Sequence, residues 1–211
     1  VFKNKVMRLD KDNVYFLPPD NKNGLSTSPP NRFDLCDKFE FIVKVKPDLE
    51  KIKEEKFGGY VVGINGKHLG IQIKDVFVDG TIWTDTGEKK LKHIYPKYMH
   101  NTFKIHFVCN LKEKYLLIKE NKGLFKERKI NFDGEMLEDY KIAYLWVGCG
   151  YGFSECPEEY RQYYTGDISY LEIKKDNKTI FLSNFKKRTD FKVYDESGCG
   201  NHLLKFQEDW Y

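Results

Sequence analysis

Apolar and polar side chains alternate with a period of two along much of this chain, which restricts it to extended segments that bury one face. Phe39, Phe41, Val43 and Val45 alternate with Glu40, Lys44 and Lys46, and Phe103, Ile105 and Phe107 alternate with Lys104 and His106. Turn dipeptides fall between such runs. Asn65-Gly66 separates Tyr60–Ile64 from Leu69–Ile73, and Asp79-Gly80 separates Val76–Val78 from Thr81–Trp83; both dipeptides tolerate the positive φ of tight hairpins. The pattern predicts a meander of short antiparallel strands. Two short helices are also expected. One starts at Pro47-Asp48-Leu49 and runs to Lys56, with Leu49 and Ile52 on one side; the other runs from Pro157 to Tyr164, with Tyr160, Tyr163 and Tyr164 on a common face. The Pro- and Asn-rich stretch from Pro18 to Pro30 reads as a surface loop, and no internal repeat is visible.

Composition narrows the partners. At 211 residues, 40% hydrophobic and 16% aromatic, the chain has material for one large β domain spanning residues 1–211. No apolar run approaches the roughly 18 residues of a membrane span, so no membrane insertion is expected. The net charge of +4 is carried by 36 Lys and Arg against 32 Asp and Glu, and Arg stands only at 8, 32, 128, 161 and 188. Phosphate and base readers favour the bidentate Arg fork, so no nucleic acid partner is expected. The Lys excess, with abundant Asn, Ile, Phe and Tyr, points to an AT-rich coding genome. The five cysteines, Cys36, Cys109, Cys149, Cys156 and Cys199, are odd in number and irregular in spacing, which does not make a complete disulfide framework. Cys109 is in phase with Phe103, Ile105 and Phe107 and reads as a small buried apolar residue. Cys149 and Cys156 flank one loop, and a bridge between them is left open. No N-terminal targeting segment is visible, and Val1 suggests a chain that begins inside a longer precursor.

The order of segments from Asn101 to Ile173 carries a resemblance. Asn101-Thr-Phe-Lys-Ile-His-Phe-Val-Cys109 is followed by a Lys-rich hairpin, then by Ala143-Tyr-Leu-Trp-Val-Gly148, then by Gly166-Asp-Ile-Ser-Tyr-Leu-Glu-Ile173. Read together these resemble the second half of a laminin-G-like or concanavalin-A-like lectin domain. Val6–Asp10, Val14–Pro18 and Phe39–Pro47 resemble the opening strands of that family. Val193-Tyr-Asp-Glu-Ser-Gly-Cys-Gly-Asn-His-Leu203 resembles an element of laminin-G-like domains found in phage tail and other virion proteins. The resemblance implies an all-β, two-sheet antiparallel jelly-roll sandwich with one or two short helices. It does not fix a function, because the scaffold carries lectins, adhesion modules, hydrolases and inert virion parts.

Catalytic signatures are sparse. Retaining endoglycanases resembling this fold set paired carboxylates on one strand as Glu-x-Asp-x-Glu, and no Glu here has Asp two positions later. Gly152-Phe-Ser-Glu-Cys156 lacks the second Gly of a serine-hydrolase elbow, and the five histidines show no metal-ligand spacing. The loop from Gly148 to Gly166 is the leading recognition surface, with Tyr151, Tyr160, Arg161, Tyr163 and Tyr164 as ligand-binding candidates. Flat aromatic faces beside hydrogen-bonding groups suit sugar rings, and tyrosines equally suit packing at the end of a sandwich or against another subunit. Trp83 is a second candidate, and Trp146 reads as core. Asp195-Glu-Ser-Gly-Cys-Gly-Asn-His202 reads as a tight turn in which Asp195 accepts backbone N–H groups. A Ca²⁺ site is its sharper alternative, and no other cofactor is expected.

The expectation is a non-catalytic recognition or structural module, a phage or viral tail or capsid component that binds glycans or other virion proteins. A secreted or cell-surface carbohydrate-binding adhesin is the first alternative, and a glycan-active hydrolase with an unrecognised carboxylate pair is the second. The matching location is the virion or an extracellular surface.

Overall fold

A computed structural model describes residues 6–17, 36–54, 59–64, 69–74, 77–94, 101–120, 127–136, 145–149 and 162–206. These residues form fifteen strands and one short helix: β1 (Met7–Leu9), β2 (Tyr15–Leu17), β3 (Lys38–Pro47), α1 (Leu49–Glu54), β4 (Gly59–Ile64), β5 (Leu69–Lys74), β6 (Phe77–Thr84), β7 (Gly87–Ile94), β8 (Phe103–Asn110), β9 (Tyr115–Glu120), β10 (Glu127–Asn131), β11 (Leu145–Val147), β12 (Gly166–Lys175), β13 (Lys178–Ser183), β14 (Lys192–Val193) and β15 (Leu203–Lys205). The first sheet has the order β1-β12-β3-β8-β9-β10, with β13 sharing the long strand β12. The second has the order β14-β15-β2-β11-β4-β5-β6-β7. All named strand pairs are antiparallel, and the two sheets form the expected sandwich of laminin-G-like type.

The alternation read from the sequence explains the packing. Phe39, Phe41, Val43 and Val45 of β3 and Phe103, Ile105, Phe107 and Cys109 of β8 turn inward, against Ile71, Ile73, Val78 and Ile82 of the second sheet, in one hydrophobic cluster that runs in sequence from Met7 to Leu203. Each fully buried large apolar side chain contributes about 1.5–3 kcal/mol relative to exposure. Burial also pushes the Cys109 thiol far up, so it behaves as the apolar residue the phase suggested. Between the sheets at their β7/β9 edge, His93 Nε2 lies 3.4 Å from Glu120 Oε2.

Two local expectations change. Asp79-Gly80 is not a turn: both residues lie inside β6, which runs unbroken from Phe77 to Thr84. Gly80 is glycine for lack of room, because a Cβ there would sit 2.2 Å from Cε2 of Phe107. The tight turn comes later, at Thr84-Asp-Thr-Gly87, where Gly87 has φ of +104° and Thr84 Oγ1 donates to the Gly87 carbonyl. Second, the helix expected over Pro157–Tyr164 does not reach its end. Gln162 has φ of +52° and Tyr163 forms a parallel bridge with Tyr60; the rest of that segment lies outside the described residues. By contrast α1 forms where Pro47 and Asp48 predicted it, with the Lys51 amide donating to Asp48 Oδ1 and Ile52 buried.

Trp146 is core, though not of the main cluster. Its neighbours Leu145 and Val147 face the sandwich interior, so Trp146 faces outward and is buried in a second cluster with Val14, Phe16 and Cys149, joined by Tyr163, Leu204 and Phe206. Its ring centroid lies 5.4 Å from that of Phe16 and 5.5 Å from that of Phe206.

Candidate functional site

The strand register sets the outer face of the second sheet in rows. Val78, Gly80 and Ile82 of β6 point inward, so Phe77, Asp79, Thr81 and Trp83 point out. One row reads Tyr60, Gln72, Asp79, Lys92 across β4 to β7. The next reads Leu204, Phe16, Trp146, Gly63, Gly70, Thr81, Lys90 across β15 to β7. The two glycines leave a shallow channel, which the Tyr60 ring occupies: a Cβ on Gly63 or Gly70 would meet Cδ1 of Tyr60 at 3.3 or 3.2 Å. The ring thereby brings its hydroxyl to 3.1 Å from Thr81 Oγ1.

Polar side chains on an outward sheet face are ordinarily wet, yet Tyr60, Gln72, Asp79 and Thr81 are all buried, Asp79 being 3% exposed. Trp83 stands beside them at 37% exposure. Burial pushes the Tyr60 phenol up to about 12. It also raises the Asp79 carboxyl above its ordinary range, against the pull of Lys90, Lys92 and Lys74.

The end of the 148–166 loop is stitched to this face. Tyr60 donates its amide to the Gln162 carbonyl at 3.0 Å, and Gln72 Nε2 donates to Gln162 Oε1 at 3.0 Å. Gly148 donates to Val61 O at 3.0 Å, and Tyr164 to Gly148 O at 2.9 Å. The approach is close enough to require glycine at 59, where a Cβ would lie 2.3 Å from the Tyr163 carbonyl oxygen.

The structure therefore sorts the candidates read from the sequence. Tyr163 is half-buried against the Trp146 cluster, on the same outer face as Trp83. Tyr164 departs from the expectation: its ring is fully enclosed in the main core, its hydroxyl donates to the Asp167 carbonyl at 3.4 Å, and it offers no face to a ligand. The reason is that bridging at Tyr163 turns alternate side chains to opposite faces, whereas the helical reading had put both on one. Tyr151, Tyr160 and Arg161 lie outside the described residues, as does Cys156; Cys149 is buried beside Trp146. Sequence reasoning missed Tyr60, Gln72, Asp79, Thr81 and Gln162. The parity of Asp79, Thr81 and Trp83 was the available signal, hidden by reading Asp79-Gly80 as a turn.

Two carboxylates of the first sheet are engaged. On the outer face of the first sheet, Glu40 is held by Lys38 at 3.0 Å and His106 at 2.6 Å, and Glu172 by Tyr170 and Thr179 at 2.8 Å each. These bonds outweigh burial and hold both carboxyls below their ordinary range, which suits neither to act as an acid at neutral pH. In the C-terminal turn, Asp195 Oδ1 accepts from the amides of Leu182 and Ser197, and Oδ2 from the Ser197 hydroxyl and the Asn201 amide, at 2.8–3.0 Å. Gly198 and Gly200 take the positive φ values the turn needs. Among the described residues no group of three or more His, Cys, Asp or Glu is placed to hold a metal ion. No described helix is long and apolar enough to cross a membrane.

No family model matches the sequence, and no curated protein matches it significantly. Solved structures share the fold. A protein of Bacteroides ovatus described as carbohydrate-binding superposes with a TM-score of 0.64 at 8% identity over 96% of this chain. Domains LG4-5 of the mouse laminin alpha1 chain superpose at 0.52 with 8% identity over 87%, and the LG1-3 region of the laminin alpha2 chain at 0.52 with 11% identity over 95%. The chain spans 58%, 44% and 34% of those three chains.

Proposed function

We propose that residues 1–211 act as one non-catalytic recognition domain, which binds glycans on the outer face of the second sheet. The observation that carries this reading is the floor of Tyr60, Gln72, Asp79 and Thr81, polar and buried on a face that points away from the core, with Trp83 exposed at its margin. The Asp79 Oδ1 that lacks a donor offers an acceptor to a sugar hydroxyl, and an indole offers a flat apolar face to the ring. The likeness in fold to a protein described as carbohydrate-binding supports the same reading. The engaged states of Glu40 and Glu172, with no Glu-x-Asp pattern in the chain, support binding over hydrolysis.

The test is a glycan array followed by calorimetry on Trp83→Ala. Binding that falls at least tenfold in a variant of unchanged melting temperature supports the reading; a wild-type chain that retains no array glycan refutes it. Release of reducing ends from pooled polysaccharides, lost on substituting one carboxylate, establishes the hydrolase instead.

The setting we propose is a virion, with a cell-surface adhesin as the alternative. Free thiols at Cys109 and Cys199 within an exterior type of fold favour a protein made in a reducing compartment and carried out by particle assembly. Such a domain then contacts a host glycan or a neighbouring virion protein.

A further inference from the structure

We infer that Asp79 is the ligand-anchoring acceptor of this face and that it selects uncharged hydroxyl donors over cations. The inference rests on the recognition role proposed above and names the chemistry that role would accept.

Asp79 lies mid-strand in β6, in register between Gln72 and Lys92, at the centre of the buried floor. Its Oδ1 is buried with no hydrogen-bond partner, and its Oδ2 lies 3.9 Å from Lys90 Nζ, too far for a hydrogen bond. The other floor groups are already engaged: the Gln72 amide donates to Gln162, and the hydroxyls of Tyr60 and Thr81 bond each other. Asp79 Oδ1 is thus the floor acceptor left without a donor. A buried carboxylate oxygen without a donor destabilises a fold, and such costs persist where a ligand supplies the missing partner.

The surrounding charges decide which donor fits. Lys92 is the register partner of Asp79 on β7, Lys90 Nζ lies 3.9 Å from Asp79 Oδ2, and Lys74 lies two residues from Gln72 on β5, against one glutamate, Glu88, which Lys90 Nζ meets at 3.3 Å. An ammonium group or Ca²⁺ entering here meets three like charges. A neutral O–H meets no such repulsion and is bound by a charge-assisted hydrogen bond, stronger than a bond between neutral groups. A sugar or cyclitol ring with adjacent free hydroxyls has the required chemistry.

The experiment uses ¹³C-labelled aspartate in the full chain, with the Asp79 carboxyl carbon assigned by its loss in Asp79→Asn. The probes are myo-inositol, methyl α-glucopyranoside, methylammonium chloride and calcium chloride. A saturable shift of that resonance with either polyol, and none with the two cations, is the expected result. Response to a cation, or to no probe, overturns the inference. Asp79→Asn removes the open charge while keeping the shape, so its melting temperature should hold or rise while affinity for the array glycan falls at least tenfold. Retained affinity in Asp79→Asn, with loss in Trp83→Ala, overturns the role of Asp79 and leaves the recognition face standing. A polyol response in a chain that binds no array glycan does the reverse. Unfolding of Asp79→Asn marks the residue as structural and also overturns the inference.

Discussion

Gly80→Ala tests the central correction to the sequence reading, because a glycine in a turn and a glycine under a ring respond to different rescues. Alanine in a strand interior is ordinarily more stable than glycine by about 0.5–1 kcal/mol, for reasons of backbone entropy. Here the new Cβ would fall 2.2 and 2.5 Å from Cε2 and Cδ2 of Phe107. These distances are more than 1 Å inside ordinary carbon contact. Phe107 has no room to retreat, being fully buried with its ring stacked on Phe41 at 6.2 Å. Overpacking of this kind costs about 1–3 kcal/mol, and the depth of the clash places it in the upper half of that range. The net loss is then about 1–2 kcal/mol, or a fall of roughly 2–8 °C in melting temperature for a domain of this size. Phe107→Leu removes the clashing ring edge, so Gly80→Ala in that background should cost less, with a coupling of about 0.5–3 kcal/mol by urea titration. A Gly80→Ala protein as stable as wild type, or strictly additive effects in the double mutant, refutes the packing argument.

Asp195 holds its turn through four accepted hydrogen bonds, so Asp195→Ala should lose about 1–3 kcal/mol by urea unfolding. Burial pushes this carboxyl up, but the donors from Ser197, Leu182 and Asn201 outweigh it and hold it below its ordinary range. Its stabilisation is therefore present above the unfolded value of about 3.9 and lost as pH falls through the folded one. Asp195→Asn should flatten the stability profile on that acid limb, and an unaltered limb contradicts the assignment. The adjacent tyrosines should separate cleanly in melting experiments: Tyr164→Ala, in the core, loses about 3–5 kcal/mol, whereas half-buried Tyr163→Ala loses far less. Equal losses would contradict the opposite placement of the two rings.

The sandwich was legible because its signal is repeated: the alternation in β3 and β8 specifies which residues face the core, and one face cannot be exchanged for the other without exposing Phe39, Phe41, Ile105 and Phe107. The site was not legible, because it depends on the register between the successive strands β4, β5 and β6, which includes an irregularity between Tyr60 and Val62 that no local pattern announces. Nothing local to Tyr60 says that Gly63 and Gly70 will stand side by side beneath its ring, or that Thr81 will receive its hydroxyl. Asp79-Gly80 was ambiguous in a deeper sense. A sequence shows that glycine is present, and not whether the chain needs its φ or its missing Cβ; only the position of Phe107 in the opposite sheet decides between them. β6 runs unbroken through the glycine that admits that ring, and this continuity is what turns Asp79, Thr81 and Trp83 to the outer face together. Packing between the sheets and presentation of the candidate site are therefore coupled through one residue, so pressure on the core at Gly80 should be felt at Asp79 and Thr81 on either side of it.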